Sequence, residues 1–520
     1  MAANGNAVEW FIDRHVRAGR GERVAIADPV RTLSYAALEL ATSRFAGALA
    51  RAGVAREHRI ALLLLDSIDF PVAFWGALRA GVVPVPINTL LPHEQVGYIL
   101  ADARAEAVVV SGPVLPALLP TLRALHGLKL VVVASPDGSP PVLLDRTHVR
   151  FDDFIDGGDL AVEPVTAPSD EVAFWLYSSG STGAPKGVRH VHGSLRATAD
   201  TYGEQVLGIT ADDLMFSASK MFHAYGLGNS MTFPMSIGAG AMVLPDRPTP
   251  EAVFAMLSRF RPTIFATVPT LYAAMLANPA IGPGAGSDRL RFCISAGEAL
   301  PEHVGRAWRE RVGVDILDGI GSTEMLHIFI SNRPGAVRYG TTGTPVPGYE
   351  AKIVDDTGTE VPDGETGELL VRGPSAADGY WNQRGKSRRT FMGEWTRTGD
   401  VYVREDDGYF RYHGRIDDMI KVAGVWVSPF EVEEALASHP AVLEAAVVGH
   451  PDGDGLIKPK AFVVLQDGAG HIEADTLYDL LKEHVKERIG AWKYPRWIEI
   501  LSALPKTATG KIERYKLRSG

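Results

Sequence analysis

Short apolar runs of strand length, separated by stretches of helical spacing, recur through most of the first 400 residues, and they constrain the fold more than any other feature. Arg59–Leu65 is followed by the helical pattern Phe70–Arg79, then by Val82–Ile87 and Ala107–Ser111. Glu171–Tyr177, Thr263–Val268 and Leu290–Ser295 repeat the theme. Runs this short with helices between them predict α/β layers on largely parallel sheets. At Ala351–Arg372 the texture changes to strands joined by Asp/Gly turns, so a β-rich part follows. A third texture begins near Gly414: a hairpin at Val422–Val427 around Gly424, a helix from Pro429, strands at Ala445–Val448 and Lys460–Leu465, a helix at Ala474–Arg488 and a strand at Ile498–Leu501. A chain of 520 residues exceeds a single core. The boundary is placed at Arg415–Asp418, giving an N-terminal domain 1–416 and a C-terminal α+β domain 417–520.

Composition narrows the partners. A net charge of −10 gives no general attraction for nucleic acid or anionic membrane. The longest apolar run, IALLLLD from Ile60, is far too short to cross a bilayer. The lone Cys293 excludes an internal disulfide and reads as a buried core thiol, and the first residues lack a basic start followed by an apolar core. A cytoplasmic protein, monomeric or homodimeric, is expected.

Five clusters carry chemistry. The first, Ser178-Ser179-Gly180-Ser181-Thr182-Gly183-Ala184-Pro185-Lys186-Gly187, follows the apolar run Ala173–Tyr177. Glycines permit tight turns, amides and hydroxyls can surround phosphate oxygens, and Lys186 adds charge. It is not a Walker A loop, which needs Gly before the Lys and Ser/Thr after it. The second, Asp318-Gly319-Ile320-Gly321-Ser322-Thr323-Glu324, follows the short strand Val314–Leu317 and ends in a carboxylate suited to a hard cation. The third is Thr398-Gly399-Asp400 and the fourth Gly414-Arg415-Ile416-Asp417-Asp418, where a carboxylate could grip ribose hydroxyls and Arg415 could reach them or a phosphate. The fifth, Leu504–Ile512, presents Lys511 beside Gly510. Taken singly, most of these read as turns, surface ion pairs or a basic tail. His190 and His192 form a His-x-His pair, but with no third ligand nearby they read as structural rather than metal-binding.

Together, in this order and spacing, the five resemble the adenylate-forming superfamily of acyl-CoA synthetases, peptide-synthetase adenylation domains and beetle luciferases. The resemblance covers nearly the whole chain, including Arg79–Thr89 and Ser295–Leu300. It implies a large N-terminal domain of two α/β sheet-helix halves plus a distorted β-barrel, and a small mobile α+β C-terminal domain. It implies ATP, Mg²⁺ and coenzyme A. The loop of Ser178, Ser179, Gly180, Ser181, Thr182, Gly183 and Lys186 would hold the β- and γ-phosphates, Thr323 the α-phosphate and Glu324 the Mg²⁺. Asp400, assisted by Arg415, would hold the ribose. Gly297, Glu298, Ala299 and Asp318, Gly319, Ile320 and Gly321 would line the adenine slot, with Tyr412 near it. Lys511 would bridge the acid's carboxylate and the α-phosphate. Asp417 matches the hinge about which the small domain swings, and Gly424 would leave room for a pantetheine arm. The family often has an aromatic residue where Ile320 stands, so Ile320 is expected to shape the acyl pocket instead.

Phe174–Gly183, Ala224–Asn229, Gly319–Phe329 and Tyr339–Gly343 look closest to the benzoate-CoA ligase branch. This implies a small aromatic carboxylic acid, in a pocket of Phe222, His223, Ala224, Tyr225, Ile320, Gly321, His327 and Ile328. His223 departs from the aromatic carbocycle expected there. An imidazole can hydrogen-bond, so an amino- or hydroxybenzoate such as anthranilate joins benzoate among the expected acids. Two alternatives stay open: loading of an acyl-carrier protein in place of free CoA, and a non-catalytic nucleotide-binding relative.

Overall fold

The computed structural model describes residues 5–145, 148–157, 162–180, 183–278, 281–283, 286–422, 425–453, 456–466, 473–490, 492–506 and 512–518. They form two compact units. The first comprises Met1–Leu300, Val304–Glu350 and Val371–Thr396; the second comprises Pro301–His303, Ala351–Leu370 and Arg397–Gly520. Among the described residues no helix is long and apolar enough to cross a membrane.

Unit 1 contains the α/β layers that the alternating runs predict. One sheet of five parallel strands runs in the order Val83–Pro86, Arg59–Leu63, Ala105–Ser111, Leu130–Ala134, His148–Arg150. Its residues Leu63, Val108, Val110 and Val133 are wholly buried, the pattern of a parallel sheet covered on both faces. A second sheet of nine strands has six parallel members in the order Ile316–Gly321, Phe292–Ser295, Ile264–Thr267, Leu214–Ser217, Gly240–Met242, Val24–Ala27. Phe216, Phe265, Tyr272 and Trp308 fill the core beside it, together with Cys293, which is buried as expected. Parallel strands ending side by side bring loops from distant parts of the chain to one edge, where α/β sheets carry their sites.

The third sheet differs from expectation. The strand expected to stop at Tyr177 runs on as Val172–Gly180 and doubles back as Gly183–Val191. Tyr177 pairs with Gly187 and Ser178 with Lys186. Lys186 therefore sits on the return strand, not on a free loop. Pairing satisfies backbone groups that a Gly/Ser loop would leave to water. The strand Gly379–Tyr380 adds to the other edge, with Tyr380 opposite Val188.

In unit 2 the Asp/Gly-turn segments form a sheet that includes Trp395–Arg404 and Phe410–Arg415. The strands Ile420–Val422 and Val425–Val427 pair antiparallel. Ser428 caps the helix Pro429–Ala437 by accepting from the Glu431 amide, the usual role of a serine before a proline-led first turn. The strands Val442–Pro451, Ile457–Leu465 and Trp497–Ile500 form one sheet beside the helix Ala474–Ile489. Val447, Val463, Leu436, Leu481 and Val485 make their shared core.

Candidate active site

Lys186 and Glu324, 138 residues apart in sequence, meet in unit 1: Nζ donates to Oε1 at 2.9 Å. Tyr380 closes a triangle with them. Its hydroxyl accepts from Lys186 Nζ at 2.8 Å and donates to the same Glu324 oxygen at 2.8 Å. Burial works to raise the Glu324 carboxyl, but the Lys186 charge and hydrogen bonds from Lys186 and Tyr380 hold it below its ordinary value. Glu324 is thus an ionised oxygen donor. The Ser178 hydroxyl, across the hairpin from Lys186, is buried and has no hydrogen-bond partner among the described residues.

The turn that presents Thr323 and Glu324 is held by its carbonyls. His190 bonds the Thr323 carbonyl at 2.8 Å, the Ala377 amide donates to the Glu324 carbonyl at 2.8 Å, and the Ser375 hydroxyl donates to the Met325 carbonyl at 2.7 Å. A carbonyl can only accept, so His190 carries its proton on Nε2. Leu326, at φ 65°, turns the chain in the left-handed region, a conformation that side chains adopt when surrounding contacts enforce it. Three fixed carbonyls do so here.

Several of the residues expected to line the acid pocket lie beside this turn. The Tyr225 hydroxyl lies 3.0 Å from the Ile294 carbonyl and 3.2 Å from that of Thr267, at the ends of two parallel strands. The Tyr225 carbonyl receives Asn229 Nδ2 at 3.0 Å and His327 Nε2 at 3.3 Å. The His327 ring stands edge-on to Phe233, 4.4 Å between centroids. A Cβ on Gly228 would lie 2.4 Å from the His327 ring, and one on Gly319 would lie 2.9 Å from Ile328, so both positions need glycine for these two side chains to pack. Phe222 and His223 meet edge-on at 4.7 Å. The amide of Met221, just before them, is held by both oxygens of the buried Asp66. Lys220 donates to the carbonyls of Leu244 and Asp246. Asp318 is buried at the end of its strand, and loss of water there raises its carboxyl to about 8.

In unit 2, the pairing of Asp400 with Arg415 across two strands brings the predicted ribose residues together: Nη1 donates to Oδ1 at 2.9 Å and to the Thr398 carbonyl at 3.0 Å. Tyr412 packs against Tyr402 and Phe430. Asp417 lies in the short turn Ile416–Asp418, and its neighbour Asp418 pairs with Arg518 at 2.5 Å. The second half of the C-terminal sequence also carries a basic–aromatic face: the Tyr494 ring has Arg496 at 3.6 Å and Lys486 at 4.8 Å, beside the exposed Trp492. Ser181, Thr182, Gly424 and Lys511 lie outside the described residues, as do the side chains of Ser179, Gly180 and Gly183.

Residues absent from the sequence expectations are Tyr380, Asp66 and Lys220. His190 was expected to be structural, and its bond to Thr323 gives that role a target. His192 accepts from the Ala7 amide at 3.2 Å. Among the described residues no group of three His, Cys, Asp or Glu could hold a metal.

Four buried imidazoles give a pH prediction. Burial lowers His15, His190 and His192 to about 4 and His327 to about 3. In the unfolded chain each takes a proton near 6.5. A depressed folded value means stability present above about 6.5 and lost as pH falls toward 4. Asp66, raised to about 6, and Asp318 work in the opposite sense. A melting series should therefore show the midpoint falling between pH 6.5 and 4, less steeply in His15→Gln; an unchanged slope in that variant would remove His15 from the explanation.

Comparison with known proteins gives the family. The AMP-binding enzyme family matches residues 12–381, and the C-terminal domain of AMP-binding enzymes matches residues 431–511. The chain is 52% identical to 4-hydroxybenzoate–CoA/benzoate–CoA ligase of Rhodopseudomonas palustris, over 99% of the chain and 94% of the relative. It is also 52% identical to benzoate–CoA ligase of Thauera aromatica, over 99% and 96%. Its structure resembles that of the anthranilate CoA ligase AuaEII in complex with anthranoyl-AMP, with a TM-score of 0.93, 42% identity, and coverage of 100% of this chain and 98% of the other. A benzoate CoA ligase from Burkholderia xenovorans LB400 has a TM-score of 0.90 at 47% identity, covering 99% and 100%. The chain belongs to the family of AMP-binding enzymes.

Proposed function

We propose that this protein is an AMP-forming aryl-CoA ligase. A carboxylate oxygen of an aromatic acid attacks the α-phosphorus of ATP, and the bond to the bridging oxygen breaks, leaving pyrophosphate. The CoA thiol then loses its proton, its sulfur attacks the carbonyl carbon of the acyl-adenylate, and the bond to AMP breaks. The observation that carries the assignment is the Lys186–Glu324 pair beside the Gly/Ser hairpin, in a chain half identical to benzoate–CoA ligases.

The first step is opposed by repulsion between anions, so placed positive charge lowers its barrier. Lys186 and the hairpin amides bind the β- and γ-phosphates, Thr323 the α-phosphate, and Lys511 the reacting carboxylate with the α-phosphate. Asp400 and Arg415 hold the ribose; Gly297–Ala299, Asp318–Gly321 and Tyr412 are assigned to the adenine. Glu324 is fitted to Mg²⁺: it is ionised, and among the described residues it stands without the further carboxylates of an all-protein cage, the donor set that Mg²⁺ uses with nucleotide phosphates. When bound, that ion would neutralise phosphate charge. Gly424 and Lys511 serve the second and first steps respectively, with Asp417 as the pivot between them. The basic–aromatic face around Tyr494 suits the anionic phosphates of CoA.

The acid is assigned as benzoate or an amino- or hydroxybenzoate. Flat and small residues around Tyr225 and His327 suit a planar ring, and His223 offers a polar edge to a substituent. Replacing His223 by Phe should shift preference toward unsubstituted benzoate; an unchanged ranking of acids would make His223 a packing residue. The acceptor is tested by comparing thioester formation on free CoA with that on a phosphopantetheinylated carrier protein. Turnover on CoA alone is expected; turnover on the carrier alone would replace CoA ligation by carrier loading.

A further inference from the structure

Tyr380 is placed by the hairpin itself. It pairs with Val188 on the strand that carries Lys186, the Trp381 amide donates to the Gly187 carbonyl at 2.8 Å, and the Tyr380 amide donates to the Ser387 hydroxyl at 3.0 Å. Its ring packs on Phe391. The hydroxyl cannot move far without breaking these contacts, and it sits where both Lys186 and Glu324 reach it. Both charged groups are largely covered, with side chains 19% and 15% exposed.

Nucleotide phosphates would compete with Glu324 for the lysine. A direct buried pair resists such competition, because separating it leaves each charge without a partner. A phenol bonded to both members of the pair changes that balance. It is a donor the carboxylate keeps when the ammonium turns to a phosphate, and an acceptor the ammonium keeps as it turns. We propose that Tyr380 is a positioning residue of the adenylation step, whose hydroxyl lets Lys186 and Glu324 part for incoming phosphates without leaving either charge bare. This rests on the phosphate-binding role given to Lys186 and the Mg²⁺-binding role given to Glu324 above.

The test is equilibrium binding, by calorimetry without acid or CoA, of ATP with Mg²⁺ and, separately, of AMP. AMP lacks the phosphates that reach Lys186. Tyr380→Phe should weaken ATP by about tenfold or more and leave AMP unchanged. Equal weakening of both nucleotides, or none, overturns the proposal. If the phenylalanine variant does not fold, two side chains of matched size at position 380 carry the test: p-aminophenylalanine, which keeps a donor, should bind ATP more tightly than p-methylphenylalanine, and equal ATP affinities overturn it. A wild-type protein that binds neither nucleotide would remove the adenylation assignment itself, so the two failures are told apart.

Discussion

Lys511→Ala is expected to lower acid-dependent pyrophosphate release by about a thousandfold while leaving thioester formation from supplied acyl-adenylate near the wild-type rate. In the first step two anions must touch, and a single ammonium bridging carboxylate and α-phosphate offsets repulsion at the point of attack. In the second step the electrophile is already made and carries its own leaving group, so the same ammonium has no partner to bridge. The split between half-reactions is the informative readout, because a merely unfolded C-terminal segment would depress both. Equal loss in the two assays would take Lys511 out of its assigned role.

Glu324→Gln carries the next largest effect. The carboxylate is held ionised by Lys186 and Tyr380. An amide keeps a carbonyl oxygen where Oε1 stands, so the turn pinned by His190, Ser375 and Ala377 should survive. What disappears is the charge, which both balances Lys186 and serves as a hard donor for a cation. Adenylation is expected to fall by about 10²-fold or more, with a higher Mg²⁺ concentration needed for half-maximal rate, and the melting temperature should fall as well, because the largely covered Lys186 loses its charged partner. A variant with wild-type Mg²⁺ dependence would remove Glu324 as the cation's ligand. A drop in melting temperature with the adenylation rate unchanged would make its role structural.

The strands and helices that frame the site were legible in the sequence because their signals are local. A β-branched run such as Ala107–Ser111 or an amphipathic stretch such as Ala474–Arg488 carries its own period. Glycine-spaced loops announced Asp318–Glu324 and the Ser178–Gly187 segment for the same reason. The path of the second segment was not legible. Nothing local states that Ser178 and Lys186 face each other across a hairpin, since that pairing depends on where the chain reverses. Tyr380 was missed because its meaning lies in residues 194 and 56 positions away. Asp66 gave no sign either: it ends an apolar strand and reads as a turn residue, yet its oxygens fix the amide before Phe222 from 155 positions away. The choice of acid was legible only as resemblance, because pocket shape is a property of packing among Tyr225, Phe233 and His327.

The central claim is acid-dependent adenylation of an aromatic carboxylate. Pyrophosphate release measured with ATP and Mg²⁺ over benzoate, aminobenzoates, hydroxybenzoates, cinnamates and short fatty acids tests it most directly. An aryl-CoA ligase releases pyrophosphate fastest with one or more of the benzoates and yields the matching acyl-AMP when CoA is withheld. Release that does not depend on acid, or that is fastest with a short fatty acid, would contradict it.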